Sequence, residues 1–360
     1  MKIKVNKIMN EGFRSGSLCF MLLLLIGQAL FSQTPETVTI IGTGDMMLGT
    51  NYPNKSYLPA NGGRDLLRDV VDILKNADVT FGNLEGCMFD GSGTPKRCRD
   101  MSKCYVFRSP ASFVNHFVNA GYDVVSLANN HSGDFGLAGR KGTKKVLDEA
   151  GIAYAGLAST DESAVFERNG VKYGFAAFAP NSGTCDVRNL SRAKQIVSDL
   201  ASKCDIVIVS FHGGAEGKDH QHVPKKTEYY LGENRGDVHA FAHAVIDAGA
   251  DVVFGHGPHV TRAVELYKGR FIAYSLGNFC TYGRFNLRGP AGVAPIIKVH
   301  ASKSGEFVKA EVISTYQQKT HGPKPDPQNR ALKIIQELTR TDFPEAKLTI
   351  SDDGLILPKE

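Results

Sequence analysis

The stretch "VVSLANNHSG", Val124 to Gly133, changes within ten residues from an apolar, β-branched run to two asparagines, a histidine and a glycine. The apolar run predicts a buried strand, and the amides that follow predict a polar loop at its carboxyl end. The same pattern occurs at "TVTIIGTGD" (37–45), "VTFGNLEG" (79–86), "DIVIVSFHGG" (205–214) and "DVVFGHGPH" (251–259). Segments with apolar residues at helical spacing lie between these runs. The sequence therefore predicts an α/β fold with a largely parallel sheet covered by helices.

Three apolar runs then follow without helical patterns between them: "RFIAYSLGNF" (270–279), "GVAPIIKVH" (292–300) and "FVKAEVISTY" (307–316). Consecutive strands predict a second sheet, or antiparallel edges, packed against the first sheet. The proline-rich "HGPKPDPQNR" (321–330) predicts a linker, and "ALKIIQELTR" (331–340) predicts a final helix. We therefore expect one domain over residues 36–320 and an appended linker and helix over residues 321–360.

Polar side chains cluster where the predicted strands end. They are Asp45, Asn83, Glu85, Asn129, Asn130, His131, His212, Glu216, His256, His259, Ser275 and Asn278. Parallel strands deliver their carboxyl ends to one edge of a sheet, where ligands bind, so we expect these groups around one crevice. Each residue alone also has a structural interpretation, for example Asp45 as a cap and Asn130 as an Asx-turn residue. The convergence of so many at one edge favours a functional site.

The mixture of carboxylates, amides and imidazoles suits manganese, iron or zinc, whereas calcium and magnesium prefer oxygen ligands alone. A carboxylate such as Glu85 is able to bridge two such ions about 3.5–4 Å apart. A neighbouring histidine such as His131 is suited to act as a general acid. By contrast, we interpret His239 and His243, one helical turn apart in "HAFAH", as packing residues, because that segment lacks the glutamate of the zinc hydrolase motif.

The amino-terminal segment predicts export. Four basic residues within the first fourteen precede "LCFMLLLLIGQALF" (18–31), which is shorter than the roughly 20 apolar residues that span a bilayer. This pattern predicts a signal peptide over residues 1–32 and a periplasmic or envelope-associated mature chain, with an uncleaved anchor as the alternative. An exported chain permits disulfides, and we expect at least one among Cys87, Cys98 and Cys104. The net charge of +5, without a polybasic stripe, argues against nucleic acid as a partner.

Five of these segments together resemble the motif set of a known family. They are "GDMMLG" (44–49), "FGNLEG" (81–86), "LANNHSGDFG" (127–136), "GADVVFGHGPHV" (249–260) and "IAYSLGNF" (272–279). In this order they resemble the CapA-type proteins, the poly-γ-glutamate capsule synthesis family, which is related to the calcineurin-like metallophosphatases. The resemblance spans residues 37–279. It implies an α/β fold in which two sheets form a sandwich flanked by helices.

The resemblance also implies roles for individual residues. The implied metal ligands are Asp45, Glu85, Asn130, His212, His256 and His259, for two divalent transition-metal ions, manganese, iron or zinc. His131 matches the catalytic histidine, and we expect Asn83, Glu216 and Asn278 to bind substrate. The chain departs from the metallophosphatase pattern at Met47, where a histidine ligand is expected two residues after Asp45.

The implied function is that of an exported, metal-dependent hydrolase-like protein in the synthesis or processing of capsule, poly-γ-glutamate or another envelope polymer. Two alternatives stay open, a non-catalytic accessory that binds polymer for a synthase or exporter, and a phosphoesterase. The implied partners are an anionic polymer or envelope substrate and a membrane synthase complex.

Overall fold

The computed structural model describes residues 37–98, 104–318 and 320–359. The predicted signal peptide, residues 1–32, lies outside these described residues. Within them, no helix has the length and apolar character needed to cross a membrane.

The described residues form twenty strands and six α-helices. The strands are β1 (Thr37–Met47), β2 (Val79–Leu84), β3 (Cys87–Met88), β4 (Arg108–Ser109), β5 (Val124–Ser126), β6 (Ala153–Ala155), β7 (Ser163–Arg168), β8 (Val171–Phe178), β9 (Ile206–His212), β10 (Glu228–Tyr230), β11 (Glu233–Gly236), β12 (Val252–His256), β13 (Val264–Tyr267), β14 (Arg270–Ala273), β15 (Asn278–Thr281), β16 (Val293–Ser302), β17 (Phe307–Tyr316), β18 (Lys324–Pro325), β19 (Leu348–Ile350) and β20 (Leu355–Pro358). The helices are α1 (Val71–Leu74), α2 (Val114–Ala120), α3 (Gly136–Ala150), α4 (Leu190–Ala201), α5 (Val238–Asp247) and α6 (Arg330–Asp342).

The larger sheet has the strand order β19-β20-β17-β16-β1-β2-β5-β6, with β15 also paired to β1 and β18 to β17. Its β1, β2, β5 and β6 are parallel, while β16, β17, β20 and β19 continue it in antiparallel fashion. The amino-terminal half of β1 pairs with β16, and its carboxyl end pairs with β15 in parallel. The end of β1 is therefore enclosed by strands on both sides.

The second sheet has the order β13-β14-β12-β9-β8-β7. Strands β8, β9, β12 and β14 are parallel, and the edge strands β7 and β13 are antiparallel to their neighbours. These parallel strands are mostly apolar and buried, as expected for strands that are covered on both faces. Two short pairs, β3 with β4 and β10 with β11, lie outside the two main sheets.

The two sheets pack face to face through aromatic side chains. The Phe81 ring of β2 lies 5.4 Å from Phe175 of β8 and 5.6 Å from Phe254 of β12, centroid to centroid. Helices α1, α2 and α3 cover the outer face of the larger sheet, and α4 and α5 cover that of the second sheet. The structure thus confirms the predicted two-sheet α/β sandwich flanked by helices.

The carboxyl-terminal segment differs from the expected appendage. The predicted helix is present as α6, but its Leu332 and Ile335 are buried in the core that the sheets share. Strand β20 extends the larger sheet, with Ile356 opposite Ala310. Residues 37–360 form one compact unit. The amphipathic helix has an apolar face to bury, and the sandwich provides the surface for it.

One disulfide joins Cys98 and Cys104, whose Cα atoms are 5.6 Å apart. This confirms the expectation of a disulfide among the three cysteines of that segment. The third, Cys87, is a buried free thiol. Burial raises the pKa of the Cys87 thiol to about 12, so it stays protonated and unreactive near neutral pH.

We predict that Ile335→Ala lowers the free energy of unfolding by about 2–5 kcal/mol, because it opens a cavity in a fully buried position. The matched control is Lys333→Ala on the exposed face of the same helix, expected to change stability by no more than about 0.5 kcal/mol. Urea unfolding of both variants provides the measurement. Equal effects of the two substitutions would show that α6 does not stabilise the core.

Candidate metal centre

The register of the parallel strands brings the predicted site residues together. Asp45 pairs with Asn83 across β1 and β2, and His212 pairs with His256 across β9 and β12. Close approach of the backbone at Gly44 helps to close this edge, because a Cβ there would lie 2.0 Å from the carbonyl oxygen of Gly277. The carboxyl ends of both sheets therefore face one crevice, as the parallel arrangement requires.

At the centre of the crevice lie Glu85, His212 and His259. One potential ligand atom from each of these three side chains lies within 4.8 Å of the other two. The His259 ring stands between two carboxylates, with Nδ1 2.8 Å from Asp45 Oδ2 and Nε2 3.6 Å from Glu85 Oε1. Asn83 Nδ2 donates to Asp45 Oδ1 at 2.8 Å, which fixes the orientation of that carboxylate.

The backbone holds His259 in an unusual conformation. Its φ of 58° lies in the left-handed region that residues with a Cβ rarely adopt. Asn278 Nδ2 donates to the carbonyl oxygen of His259 at 3.2 Å and to that of Ala291 at 3.1 Å. These bonds secure the turn, so Asn278 acts on the cluster through the backbone of His259.

Several buried polar atoms of the cluster lack a partner among the described residues. Both carboxylate oxygens of Glu85, Nε2 of His212 and Oδ1 of Asn130 are buried without a hydrogen bond. An unsatisfied buried polar atom costs about 1–3 kcal/mol, and more for a charged group. All four atoms are electron-pair donors, and together they form the set that a divalent transition metal accepts. The residues present therefore fit a metal ion.

The electrostatics of the cluster lead to the same conclusion. Burial raises the pKa of Glu85 well above its ordinary value and lowers the pKa of His212 well below its ordinary value. Burial alone would also lower the pKa of His259, but Glu85 and Asp45 outweigh it and raise that pKa to about 10. Burial opposes ionisation of Asp45 too, yet the hydrogen bond and charge of His259 lower its pKa to about 2. A nearby positive charge therefore stabilises the two buried carboxylates. The His259 imidazolium provides such a charge, and a bound metal ion would provide one as well.

His131 lies beside the cluster and is held by a carboxylate. Its Nδ1 lies 2.8 Å from Asp134 Oδ2, and its Nε2 lies 4.0 Å from Glu85 Oε1. Lys96 Nζ lies 2.5 Å from the other oxygen of Asp134 and donates to the carbonyl oxygen of Asn130 at 3.2 Å. Burial lowers the pKa of His131, although the charge of Asp134 acts in the opposite direction. Since Asp134 accepts the Nδ1 proton, Nε2 is the nitrogen directed to the cluster.

A pocket of about 560 Å³ opens over these groups. Glu85, Asn130, His131 and His259 line it together with three cations and five large hydrophobic or aromatic side chains. The cations are Lys96, Arg235 and Arg284, and the hydrophobic and aromatic residues are Tyr105, Phe107, Tyr230, Leu231 and Phe285. Its volume is in the range of about 300–1,000 Å³ that is typical of small-ligand sites.

The other predicted residues have different surroundings. Glu216 lines the pocket and accepts from Arg235 Nη2 at 2.9 Å. The Nε2 atom of His256 lies 3.0 Å from the carbonyl oxygen of Thr43, to which it donates, so His256 stands outside the three-residue cluster. Its role as a ligand stays a prediction. Met47 is buried, and its sulfur accepts from the Gly49 N–H at 3.3 Å, away from any ligand role.

Sequence reasoning did not single out Asp134, Lys96 or Arg235. Asp134 follows His131 by three residues within the turn "HSGD". That spacing could have predicted the Asp–His pair. Lys96 comes from a loop and Arg235 from strand β11, both distant from His131 in the chain, and no local pattern marks them. The aromatic wall is equally dispersed, with Phe107 at 4.2 Å from the His131 ring and 5.2 Å from Phe285, centroid to centroid.

Comparison with known proteins gives a family for this arrangement. The model of the bacterial capsule synthesis protein PGA_cap matches residues 39–282. The capsule biosynthesis protein CapA of Bacillus anthracis is 29% identical over 265 residues, which cover 68% of this chain and 60% of that protein. The PGA biosynthesis protein CapA of Bacillus subtilis is 26% identical over 318 residues, 82% of this chain and 76% of that protein.

Among solved structures, a 5'-nucleotidase precursor from Thermus thermophilus aligns with a TM-score of 0.43 and 13% identity, over 85% of this chain and 59% of that one.

The family match covers more than half of the chain, including every strand end that contributes to the crevice. The chain therefore belongs to the bacterial capsule synthesis protein family, PGA_cap.

Proposed function

We propose that this chain is an exported, metal-dependent hydrolase-like protein that acts on poly-γ-glutamate or another anionic envelope polymer. The observation that carries the proposal is the buried Glu85–His212–His259 cluster, two of whose members, Glu85 and His259, line a pocket that also carries three cations. Family membership supports a role in capsule synthesis. Export is supported by the basic head and short apolar run of the first 31 residues.

The ligands in this proposal are Glu85, His212 and His259, joined by Asn130, with Asp45 holding His259 in place. Divalent ions of this kind, when bound, polarise a substrate oxygen and activate water. Glu85 has two unpaired oxygens and is the one carboxylate of the cluster with both available, so it is suited to bridge two ions. Asp45 has both oxygens engaged by protein groups.

His131 serves as the general acid in the proposed reaction. The bond from Nδ1 to Asp134 fixes the ring with Nε2 toward the pocket, and Nε2 carries a proton to donate when the ring is in its imidazolium form. A leaving group on the pocket side of Glu85 receives that proton. Phe107 packs against the ring and excludes water from one of its faces. The burial that lowers the pKa of His131 also makes its protonated form a stronger acid.

Arg284 is the side chain that we propose for recognition of an anionic group. Its guanidinium lies 5.0 Å from the ring centroids of both Tyr57 and Tyr105, and it lines the pocket. No carboxylate pairs with it among the described residues. Arg262, by contrast, is buried in a two-bond pair with Glu228, at 2.9 and 2.7 Å. Of these two arginines, Arg284 is therefore the one able to accept a carboxylate or phosphate of the substrate.

We predict that Glu85→Gln lowers the metal content of the purified protein, because it removes the charge that a bridging ligand supplies while preserving side-chain size. Glu216→Gln is the matched control, since Glu216 lines the same pocket but lies outside the three-residue cluster. Elemental analysis after dialysis provides the stoichiometry. Wild-type metal content in Glu85→Gln would remove the basis of the proposed centre.

We predict that His131→Ala retains metal while turnover falls by about 10²–10⁴-fold, the usual contribution of a general acid. The test substrates are a γ-glutamyl amide and a phosphomonoester, assayed on metal-loaded protein. Turnover of the phosphomonoester alone would favour the phosphoesterase alternative. Unchanged turnover in the variant would contradict the catalytic role, and a wild-type protein that binds polymer without cleaving either substrate would point to the accessory role.

We predict that Arg284→Gln weakens binding of poly-γ-glutamate about 10- to 100-fold, since a charge-assisted hydrogen bond contributes roughly 1.5–3 kcal/mol. Arg288→Gln, an exposed position four residues later and outside the pocket lining, is the control. Calorimetric titration with short poly-γ-glutamate measures the affinity without requiring turnover. Equal affinities of the two variants would exclude Arg284 as the recognition residue.

A further inference from the structure

A second group of potential ligands lies on the outer side of the second sheet and shares no residue with the first. His239 and His243 stand one turn apart on α5, and Glu265 comes from β13. One ligand atom from each lies within 4.8 Å of the other two. The sequence interpretation of the two histidines as packing residues rested on the lack of a nearby glutamate. The fold brings that glutamate to them from 22 residues further along the chain.

The geometry within this group is close to what a metal ion needs. His243 Nε2 lies 3.1 and 3.0 Å from the two oxygens of Glu265. The ring centroids of His239 and His243 are 4.1 Å apart. Tyr274 donates its hydroxyl proton to Glu265 at 2.6 Å and so orients the carboxylate. A ligand carboxylate held by an outer hydrogen bond of this kind is typical of protein metal sites.

We propose that His239, His243 and Glu265 bind a zinc ion. Two imidazoles and one carboxylate, with water as the fourth ligand, form a set that zinc takes in tetrahedral geometry. Zinc–ligand bonds of about 2.0–2.1 Å place neighbouring ligand atoms about 3.4 Å apart. His243 and Glu265 already approach that spacing, and a ligand atom of His239 lies within 4.8 Å of both. Both histidines are partly exposed, which gives the ion access.

The surroundings indicate a structural role for this ion. His239 stacks on Tyr274 and Phe343, with ring centroids 6.2 and 6.0 Å away, and Phe343 immediately follows α6. The Val264 N–H, beside Glu265, donates to Thr339 Oγ1 of α6 at 3.1 Å. An ion on these ligands would therefore tie helix α5 to the edge strand β13, close to where α6 contacts the strand and Phe343 contacts His239.

The alternative is a simple pair between His243 and Glu265, in which His239 only packs. The two interpretations require different properties of His239. Among the described residues, its side chain forms no hydrogen bond. As a packing residue it needs only an aromatic ring. As a ligand it needs a nitrogen. His239→Phe preserves the ring stacking and removes the nitrogen, so it separates the two.

The experiment measures zinc equivalents in the mature full-length protein after exposure to zinc chloride and passage over a chelating resin. We expect His239→Phe to contain one equivalent fewer than the wild type. The control His222→Phe, whose histidine pairs with Asp342 alone, is expected to retain the wild-type content. Glu85→Gln is expected to retain one equivalent, because its loss is confined to the other centre.

Thermal unfolding provides a second measurement that does not depend on catalysis. In the Glu85→Gln background, added zinc is expected to raise the melting temperature by several degrees, because an ion that binds only the folded state stabilises it. The further substitution His239→Phe is expected to abolish that rise. Wild-type zinc content in His239→Phe, or an undiminished rise in the double variant, would overturn the proposal.

Discussion

The Glu85 carboxylate imposes the constraint on which the centre of this molecule depends. It is fully buried, and neither of its oxygens has a hydrogen-bond partner among the described residues. A charge in such a place is costly unless an opposite charge compensates it. The fold places His259, which has a left-handed backbone conformation, between Glu85 and Asp45. A cation bound beside Glu85 would therefore stabilise the ionised form of this carboxylate.

The sandwich explains why this site forms where it does. Glu85 follows a strand of the larger sheet, whereas His212 ends a strand of the second sheet. Only face-to-face packing of the sheets, through Phe81 and Phe254 among others, brings the two ends to one crevice. Packing in the core and placement of the ligands are therefore coupled. A change that shifts one sheet against the other alters the distance between ligands before it unfolds the chain.

Local patterns were sufficient for the fold class and for most of the crevice. Apolar runs that end in polar residues mark Asp45, Glu85, Asn130 and His212, because the rule that parallel strands converge needs no knowledge of distant contacts. The orientation of a side chain, however, depends on contacts with distant parts of the chain, which a local pattern does not show. The pattern at His256 is as suggestive as that at His259, yet the ring of His256 donates to the Thr43 carbonyl.

The same distinction explains the carboxyl-terminal segment. Its prolines and polar residues predict a linker, but the segment contains strand β18, which pairs with β17, and the surface that buries Ile335 is made by other parts of the chain. The lining of the pocket likewise depends on contacts between distant parts of the chain. Arg284 and Phe285 come from one loop and Tyr105 from another, and only the folded chain shows that all three line one cavity.

The pocket also bears on how a polymer would be handled. A volume of about 560 Å³ suits a ligand of small-molecule size and not an extended chain. A polymer would therefore place only a few units inside, with the rest of the chain outside. The cations enter the pocket from different loops, Lys96 beside Asp134 and Arg284 between two tyrosines. Lys96 is neutralised by its partner Asp134, so under the proposed function the anionic charge of a bound unit would contact Arg284, and the scissile bond would lie near Glu85 and His131. Recognition and chemistry would then use different side chains of one cavity.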